Sequence, residues 1–333
     1  MKLCANWLPI SHELTRQVAR AAERAGLWGL GIGDSPHYDE LYGSCAQALT
    51  ATDRLAVLPS VTNPVTRHVS VHTSAARALS ALAPGRYAVG MGRGDSAVRT
   101  FGLAPASLDD VERQLGTLRE QVPDVPLLLA ASGPRAAAAA GRSADAVIAG
   151  AGLDLTALRG LRARADAHAR TVTDTEGEGA VGHAGPGRTG GVEVWGSVRI
   201  GVARDRADIP ELRRRLLARA ISASRFNFAG TFVGKNVPAE YQGVLTERYA
   251  SYDFAWHGRS GPNPVAGLFA DRPDIESYLL DRFAIVGTVE ECQERLTALT
   301  PELDGLFLSL LFEDALPQLD LLSHVTADLA GAS

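Results

Sequence analysis

Cysteine, surplus charge and long apolar runs are what this 333-residue sequence has least of. Its three cysteines, Cys4, Cys45 and Cys292, are widely separated and odd in number, which fits reduced thiols better than a disulfide framework or a clustered metal site. The formal net charge is only -5, from 33 Lys+Arg against 38 Asp+Glu, so nucleic acid is not expected as a partner. No apolar run is long enough to span a bilayer, and the chain opens on "KLCANWLP", which reads as a strand and lacks the sections of a signal peptide. The expectation is a soluble, cytoplasmic protein with no membrane partner. H-E-x-x-H, a nucleophile elbow and a Ser-His-Asp set are all missing, so no metal and no hydrolytic triad are expected.

What is present is alternation. Hydrophobic residues make up 46% and charged residues 21%, a globular mixture. Short β-rich segments alternate with Ala- and Arg-rich helical ones, the pattern of βα units. "KLCANWLP" precedes a helix over 13–25, "LWGLGIGDS" one over 40–51, "RLAVLPSVTNP" one over 69–82 and "RYAVGMGRGDS" one over 108–121. "PLLLAASGP" leads into "RAAAAAGR", "DAVIAGAG" into 155–169, and "EVWGSVRIGVA" into 209–222. The last strand is "GLFLSLLF", with a helix over 289–299 before it and a closing helix over 315–329 after it. Glycine-rich residues 171–191 read as a flexible loop, and residues 226–278 as an insertion holding most of the late aromatics. About eight units in one domain spanning 1–333 give a (β/α)8 TIM barrel with insertions in the regions after strands 6 and 7, and the competing arrangement is a doubly wound open sheet.

In a barrel the chemistry gathers where strands end. Those ends carry Asn6 and Trp7; Asp34 and Ser35, with His37 three residues after Asp34; Ser60, Val61, Thr62 and Asn63; Gly92 to Ser96; Ser132, Gly133 and Pro134; and Gly150, Ala151 and Gly152. Glycine lets backbone approach a ligand closely, and "ASGPR" suits an anion, with Ser132 as cap, Pro134 in the first turn and a helix N-terminus behind them. "GMGRGDS", 90–96, is a poor dinucleotide fingerprint, because no helix is expected immediately after it. Arg93 and Asp95 are expected to pair at the rim. Asp34 and Asp95 offer carboxylates, His37 a proton donor or acceptor near neutral pH. The plain alternatives are helix capping for Asp34, a solvent-exposed loop histidine for His37 and a packed strand-end residue for Trp7.

Together "GDSPHYDELY", "SVTNPVTRH", "GRYAVGMGRGDSAVRTFGL", "ASGPRAAAAAGRSADAVIAG" and "FAIVGTVEECQERL" resemble the luciferase-like flavin-dependent oxidoreductases, in particular the branch similar to methylenetetrahydromethanopterin reductase, which uses the deazaflavin coenzyme F420. The resemblance covers nearly the whole chain. It implies a barrel, often dimeric, that holds a flavin or deazaflavin in its mouth. A bulge after the third strand, often with a non-prolyl cis peptide, presses on the ring, and its counterparts are Ser60 and Val61, with Thr62 and Asn63 toward the ring's polar edge. Gly92, Arg93, Gly94, Asp95 and Ser96 match the loop beside the ring. Ser132 to Pro134 and Gly150 to Gly152 match the segments around the phosphate. Asp34 matches a strand-two aspartate that a histidine often follows, but Ser35 follows here. Trp7 and Tyr42 are the candidates to touch a small organic substrate.

Three readings result: hydride transfer with coenzyme F420; an FMN-dependent two-component monooxygenase using O2 and a partner flavin or deazaflavin reductase; and a barrel that only binds a flavin. The aromatic insertion is expected to act as a lid, a dimer seam or a satellite core.

Overall fold

A computed structural model describes residues 1–169, 191–228, 230–259 and 261–330. The strands are β1 (Lys2–Trp7), β2 (Gly29–Ile32), β3 (Ala56–Pro59), β4 (Val89–Met91), β5 (Leu127–Ala131), β6 (Ala146–Ala149), β7 (Glu193–Val202), β8 (Ala284–Gly287) and β9 (Gly305–Ser309). The helices are α1 (His12–Arg24), α2 (Leu41–Thr50), α3 (Val69–Leu82), α4 (Asp95–Thr100), α5 (Leu108–Gln121), α6 (Pro134–Ser143), α7 (Leu155–Asp166), α8 (Ile209–Phe228), α9 (Ala239–Ala250), α10 (Pro273–Phe283), α11 (Val289–Leu299) and α12 (Ala315–Ala330). Their starts follow local chemistry: Ser11, Ser107 and Asp154 cap α1, α5 and α7, and Thr288 with Glu291 forms a reciprocal capping box on α11.

Every strand pairing is parallel, in the order β3-β2-β1-β9-β7-β6-β5-β4, with β8 beside the far end of β7. The two ends of that path meet through bridges at Val57–Tyr87 and Thr62–Met91, which close the ring. The fold is a (β/α)8 TIM barrel.

Alternation along each strand divides the core. Leu3, Ala5 and Trp7 point outward and pack with the helices. Inward, Cys4, Leu58, Leu128, Ile148, Trp195 and Phe307 fill the lower barrel, each large apolar side chain contributing about 1.5–3 kcal/mol by leaving water. One layer higher the inward positions are mostly small or polar, Asn6, Gly31, Gly92, Ala130, Ser197 and Ser309, with the larger Arg199 level with Ser309. Asn6, Ala130, Ser197 and Ser309 keep solvent access, whereas their outward neighbours Ala5, Leu129, Val198 and Leu308 are fully buried. The barrel is therefore solid below and open at its C-terminal end.

Three expectations are corrected. A helix, α4, does begin directly after "GMGRGDS", at Asp95. Residues 284–287 form a ninth strand, β8, where none was expected. Helix α8 runs on to Phe228, so the insertion begins inside a helix; it also contains α9 and half of α10. Its aromatics build the satellite core, in which Phe228, Tyr249, Tyr252, Phe269 and Phe283 are buried. The stretch 171–191 lies, except for Gly191, outside the described residues. The three cysteines are free and buried. Among the described residues no helix is long and apolar enough to cross a membrane.

Candidate functional site

Between the two closing bridges the chain advances five residues on the β3 side, Val57 to Thr62, and four on the β4 side, Tyr87 to Met91. The extra residue makes a bulge at the barrel's lip. Within it the Ser60–Val61 peptide is cis. Glycines make room for it: a Cβ on Gly90 would stand 2.2 Å from the Pro59 carbonyl oxygen, one on Gly92 2.8 Å from a Val61 methyl, and one on Gly31 2.7 Å from Ser60 Cβ. Ser60 and Val61 both face inward and are half-buried, so core side chains do not plug this corner.

A polar network stands behind the bulge. Asp34 Oδ2 accepts from Thr62 Oγ1 at 3.0 Å and from Arg67 Nη1 at 2.5 Å, and Arg67 also reaches Glu40 at 3.2 Å. Burial works against the Arg67 charge, but Asp34 outweighs it and holds the guanidinium above its ordinary pKa. His72 Nε2 meets the Asn63 carbonyl oxygen at 3.2 Å, and a carbonyl can only accept, so Nε2 carries the proton. The bare Nδ1 then accepts from Tyr42 Oη at 2.5 Å. Burial pushes His72 down to about 4 and raises the Tyr42 phenol, so both are neutral at pH 7.

This network changes several expectations. Asp34 is committed to an ion pair in the wall and does not stand free in the mouth. Thr62 and Asn63 are buried; the Thr62 hydroxyl goes to Asp34, and Asn63 Oδ1 receives Val65 N, Thr66 N and Thr66 Oγ1. Their side chains brace the bulge from outside instead of reaching a ring edge. Tyr42 serves the same brace through His72. Trp7, expected toward substrate, is 1% exposed, donates Nε1–H to Thr15 Oγ1 and packs edge-on against Phe312 in the outer layer. Strand parity decides this, because Asn6 is the inward residue of that pair.

The β5 and β6 ends form the next sector. Gly133, not Ser132, caps α6, and no side chain satisfies that helix start, unlike those of α1, α5 and α7. Pro134 occupies its first turn. Gly150 faces Asn227 and Ser132, its added Cβ falling 1.9 Å from Asn227 Oδ1. Ala151 and Gly152 are turned elsewhere: the Ala151 carbonyl accepts from Arg282 Nε, and Gly152, with φ +62°, lets the Arg282 carbonyl approach. Lys235, unnoticed in the sequence, is buried with Cε near the Cβ direction of Gly133, at 3.9 Å. Burial and the neighbouring Arg282 bring its pKa down to about 8.

Residues 254–259 and Gly261 roof the mouth. Tyr38 Oη donates to the Gly258 carbonyl at 2.8 Å, Gly261 N to Glu313 at 3.1 Å, and the Arg99 guanidinium lies 5.5 Å from the centre of the Phe254 ring. Arg99 is also the partner of Asp95, while Arg93 Nε donates to the Ala106 carbonyl, so the expected Arg93–Asp95 pair is absent. Gly94, at φ +84°, turns the chain into α4, whose Ser96 carbonyl accepts from Thr100. Under the roof His37 is not the solvent-exposed loop histidine of the plain alternative: its Nε2 is buried with no hydrogen-bond partner, and burial, then Arg259, lowers its pKa. His257 lies against Phe226 at 4.6 Å and accepts or donates at Tyr252 Oη, 3.1 Å away; burial, then Arg199 and Arg219, brings it down to about 3.

A closed barrel with its small and polar inward residues collected at the C-terminal strand ends is the architecture of a barrel enzyme whose site lies in that mouth. The chain belongs to the luciferase-like monooxygenase family, whose profile matches residues 10–123 and 117–301. That family consists of oxidoreductases and monooxygenases. Among solved structures it is similar to the coenzyme F420 dependent tetrahydromethanopterin reductase from Methanopyrus kandleri, at 15% identity over 97% of both chains with a TM-score of 0.71. It is also similar to an F420-dependent secondary alcohol dehydrogenase, at 13% identity over 97% of this chain and 98% of that one with a TM-score of 0.67. The EDTA monooxygenase EmoA from Chelativorans sp. BNC1 matches at 15% identity over 100% of this chain and 94% of that one, with a TM-score of 0.68. No curated protein matches in sequence.

Proposed function

We propose that this chain is an oxidoreductase that binds the deazaflavin coenzyme F420 in the barrel mouth and transfers hydride between it and a small organic substrate. The observation that carries this is the inward, half-buried Ser60–Val61 bulge at the open end of the barrel, where the inward positions Gly92, Ala130 and Ser309 are small. Similarity to the two F420-dependent proteins along nearly the whole chain supports the choice of coenzyme. A deazaflavin carries hydride only, since carbon replaces the nitrogen that supports oxygen chemistry in a flavin.

The residues divide the work. Ser60 and Val61 would hold one face of the ring, with Gly92 allowing close approach. The uncapped start of α6, Ser132 and Lys235 would receive the phosphate, an anion meeting a helix N-terminus and an ammonium group. His37, neutral and with Nε2 unpartnered, would hold or accept the proton at the substrate, while Asp34 keeps the bulge in place through Thr62 and Arg67. The roof formed by 254–259 and Gly261 would keep water from the reacting face.

The second reading, an FMN-dependent monooxygenase supplied by a reductase, is favoured by the family description and by the EDTA monooxygenase similarity. Separate titrations decide between them. Saturable F420 binding with substrate-dependent bleaching is the expected result; oxygen uptake with reduced FMN, with no F420 binding, would replace it with the second. Binding of either ring without turnover would leave only a flavin-binding barrel.

A further inference from the structure

Buried arginines in this protein usually have their nitrogens occupied. Arg282 is 5% exposed and bonds the Ala151, Lys235 and Asn236 carbonyls and Tyr278 Oη. Arg162 and Arg119 each leave one nitrogen unmatched but are ion-paired, to Asp304 and Asp145. The mouth holds three that follow neither pattern.

Arg199 lies on β7 at the level of Ser309, the partner of Asn6, so it points inward. Its Nε is buried with no hydrogen-bond partner. Arg225, near the end of α8, leaves both Nε and Nη1 buried and unpartnered, its guanidinium lying among the rings of Phe226, Tyr252 and Phe254. Arg219, two turns earlier, stacks at 4.0 Å on Phe312. Among the described residues none of the three forms an ion pair or a hydrogen bond; Glu313 is the carboxylate whose field reaches Arg219. The groups facing them are His257, His37, Tyr252, Tyr38 and Ser222. Burial, then Arg219, brings Arg199 down only to about 10, so it stays charged at neutral pH.

Like charges gathered without an ion-paired counter-charge in a half-buried pocket weaken the fold, and a guanidinium with idle N–H groups in a pocket is suited to receive a planar or tetrahedral oxyanion. Arg199's strand, β7, lies four strands round the ring from β3 and its Ser60–Val61 bulge, and two from β5, whose end carries Gly133 with Lys235 beside it. We propose that Arg199 and Arg225, with Arg219 behind them, bind the anionic group of the substrate, so that the protein acts on organic carboxylates, phosphonates or sulfonates. The word "substrate" here rests on the oxidoreductase reading above; the anion site itself rests on the arginines.

The test titrates benzoate, phenylphosphonate and benzenesulfonate, with neutral benzamide and inorganic phosphate beside them, in low-chloride buffer by calorimetry and thermal shift. It uses wild type, Arg199→Gln, Arg225→Gln and, as an exposed control, Arg214→Gln. At least one organic anion is expected to bind wild type once per chain, about tenfold or more tighter than benzamide, and about tenfold more weakly to either pocket variant, with the control unchanged. The pocket variants should melt at or above the wild-type temperature, because they remove an uncompensated charge, whereas a structural arginine would lower it. F420 and FMN titrations of the same variants should be unchanged. No saturable binding of any organic anion, equal binding by the variants, or a clear fall in their melting temperature overturns the proposal. Loss of cofactor binding in Arg199→Gln without competition by the organic anions would also overturn it, assigning the arginines to the cofactor's own anionic tail. If neither ring binds wild type but the organic anions do, the oxidoreductase reading fails and the anion site stands.

Discussion

At Gly90 the added carbon of an alanine would fall 2.2 Å from the Pro59 carbonyl, and backbone cannot move aside as a side-chain end can. Gly90→Ala is therefore expected to cost about 3 kcal/mol, read as a lower urea midpoint at unchanged slope. His72 gives a pH signature. Its native pKa is depressed to about 4 from 6.5, so the unfolded chain takes up the proton first. The stability contributed by the neutral ring is complete above about pH 6.5 and is lost as pH falls toward 4, about 3 kcal/mol in all. His72→Gln should flatten that limb of a stability-against-pH curve. Lys235 works in the opposite sense. A bound phosphate favours its charged form, so affinity for FMN or F420 should weaken as pH rises through about 8, and Lys235→Met should lose about tenfold at pH 7 and abolish that dependence. Lys235 was not legible in the sequence because nothing in "TFVGKNVP" ties it to Gly133, about a hundred residues away in the chain. His37 was read from its spacing to Asp34 as either a proton-transfer group or an exposed loop histidine, and its orphaned Nε2 could only be seen in three dimensions.

Helices with a clear apolar period could be read to the residue: α3 and α5 have the predicted bounds, 69–82 and 108–121. Short elements escaped. Strand β8 has four residues directly after α10, with no turn signal between them, and α4 has six residues, too few to show a period. The missed α4 matters because it carries Asp95 and Arg99 to the roof, where Arg99 meets Phe254. Arg99→Ala should leave global stability within about 0.5 kcal/mol, since the pair is largely exposed, yet speed amide exchange across 253–259, measured by mass spectrometry. The cap of α11 is a simpler case. Thr288→Ala removes one half of the box, an expected loss of about 1 kcal/mol in chemical denaturation.

At the level of the molecule, alternating βα segments pointed to a parallel α/β fold and left a barrel and an open sheet in competition; the bridges from β3 to β4 close the barrel. Which way each strand-end side chain turns was not given, since that depends on the register set by β1 with β9 and by the bulge in β3. One inward step separates Asn6 from Trp7, and it moves the tryptophan from the mouth to the outer layer. The arginine cluster escaped for the same reason: Arg199 sits in an ordinary strand pattern, "VRIGV", and its partners come from α8 and the roof.

The cylinder is stitched between β3 and β4 by two bridges, and the proposed ring seat lies on that seam. A guest resting there would touch both lips and act as a further stitch, so occupancy and mechanical integrity would rise together.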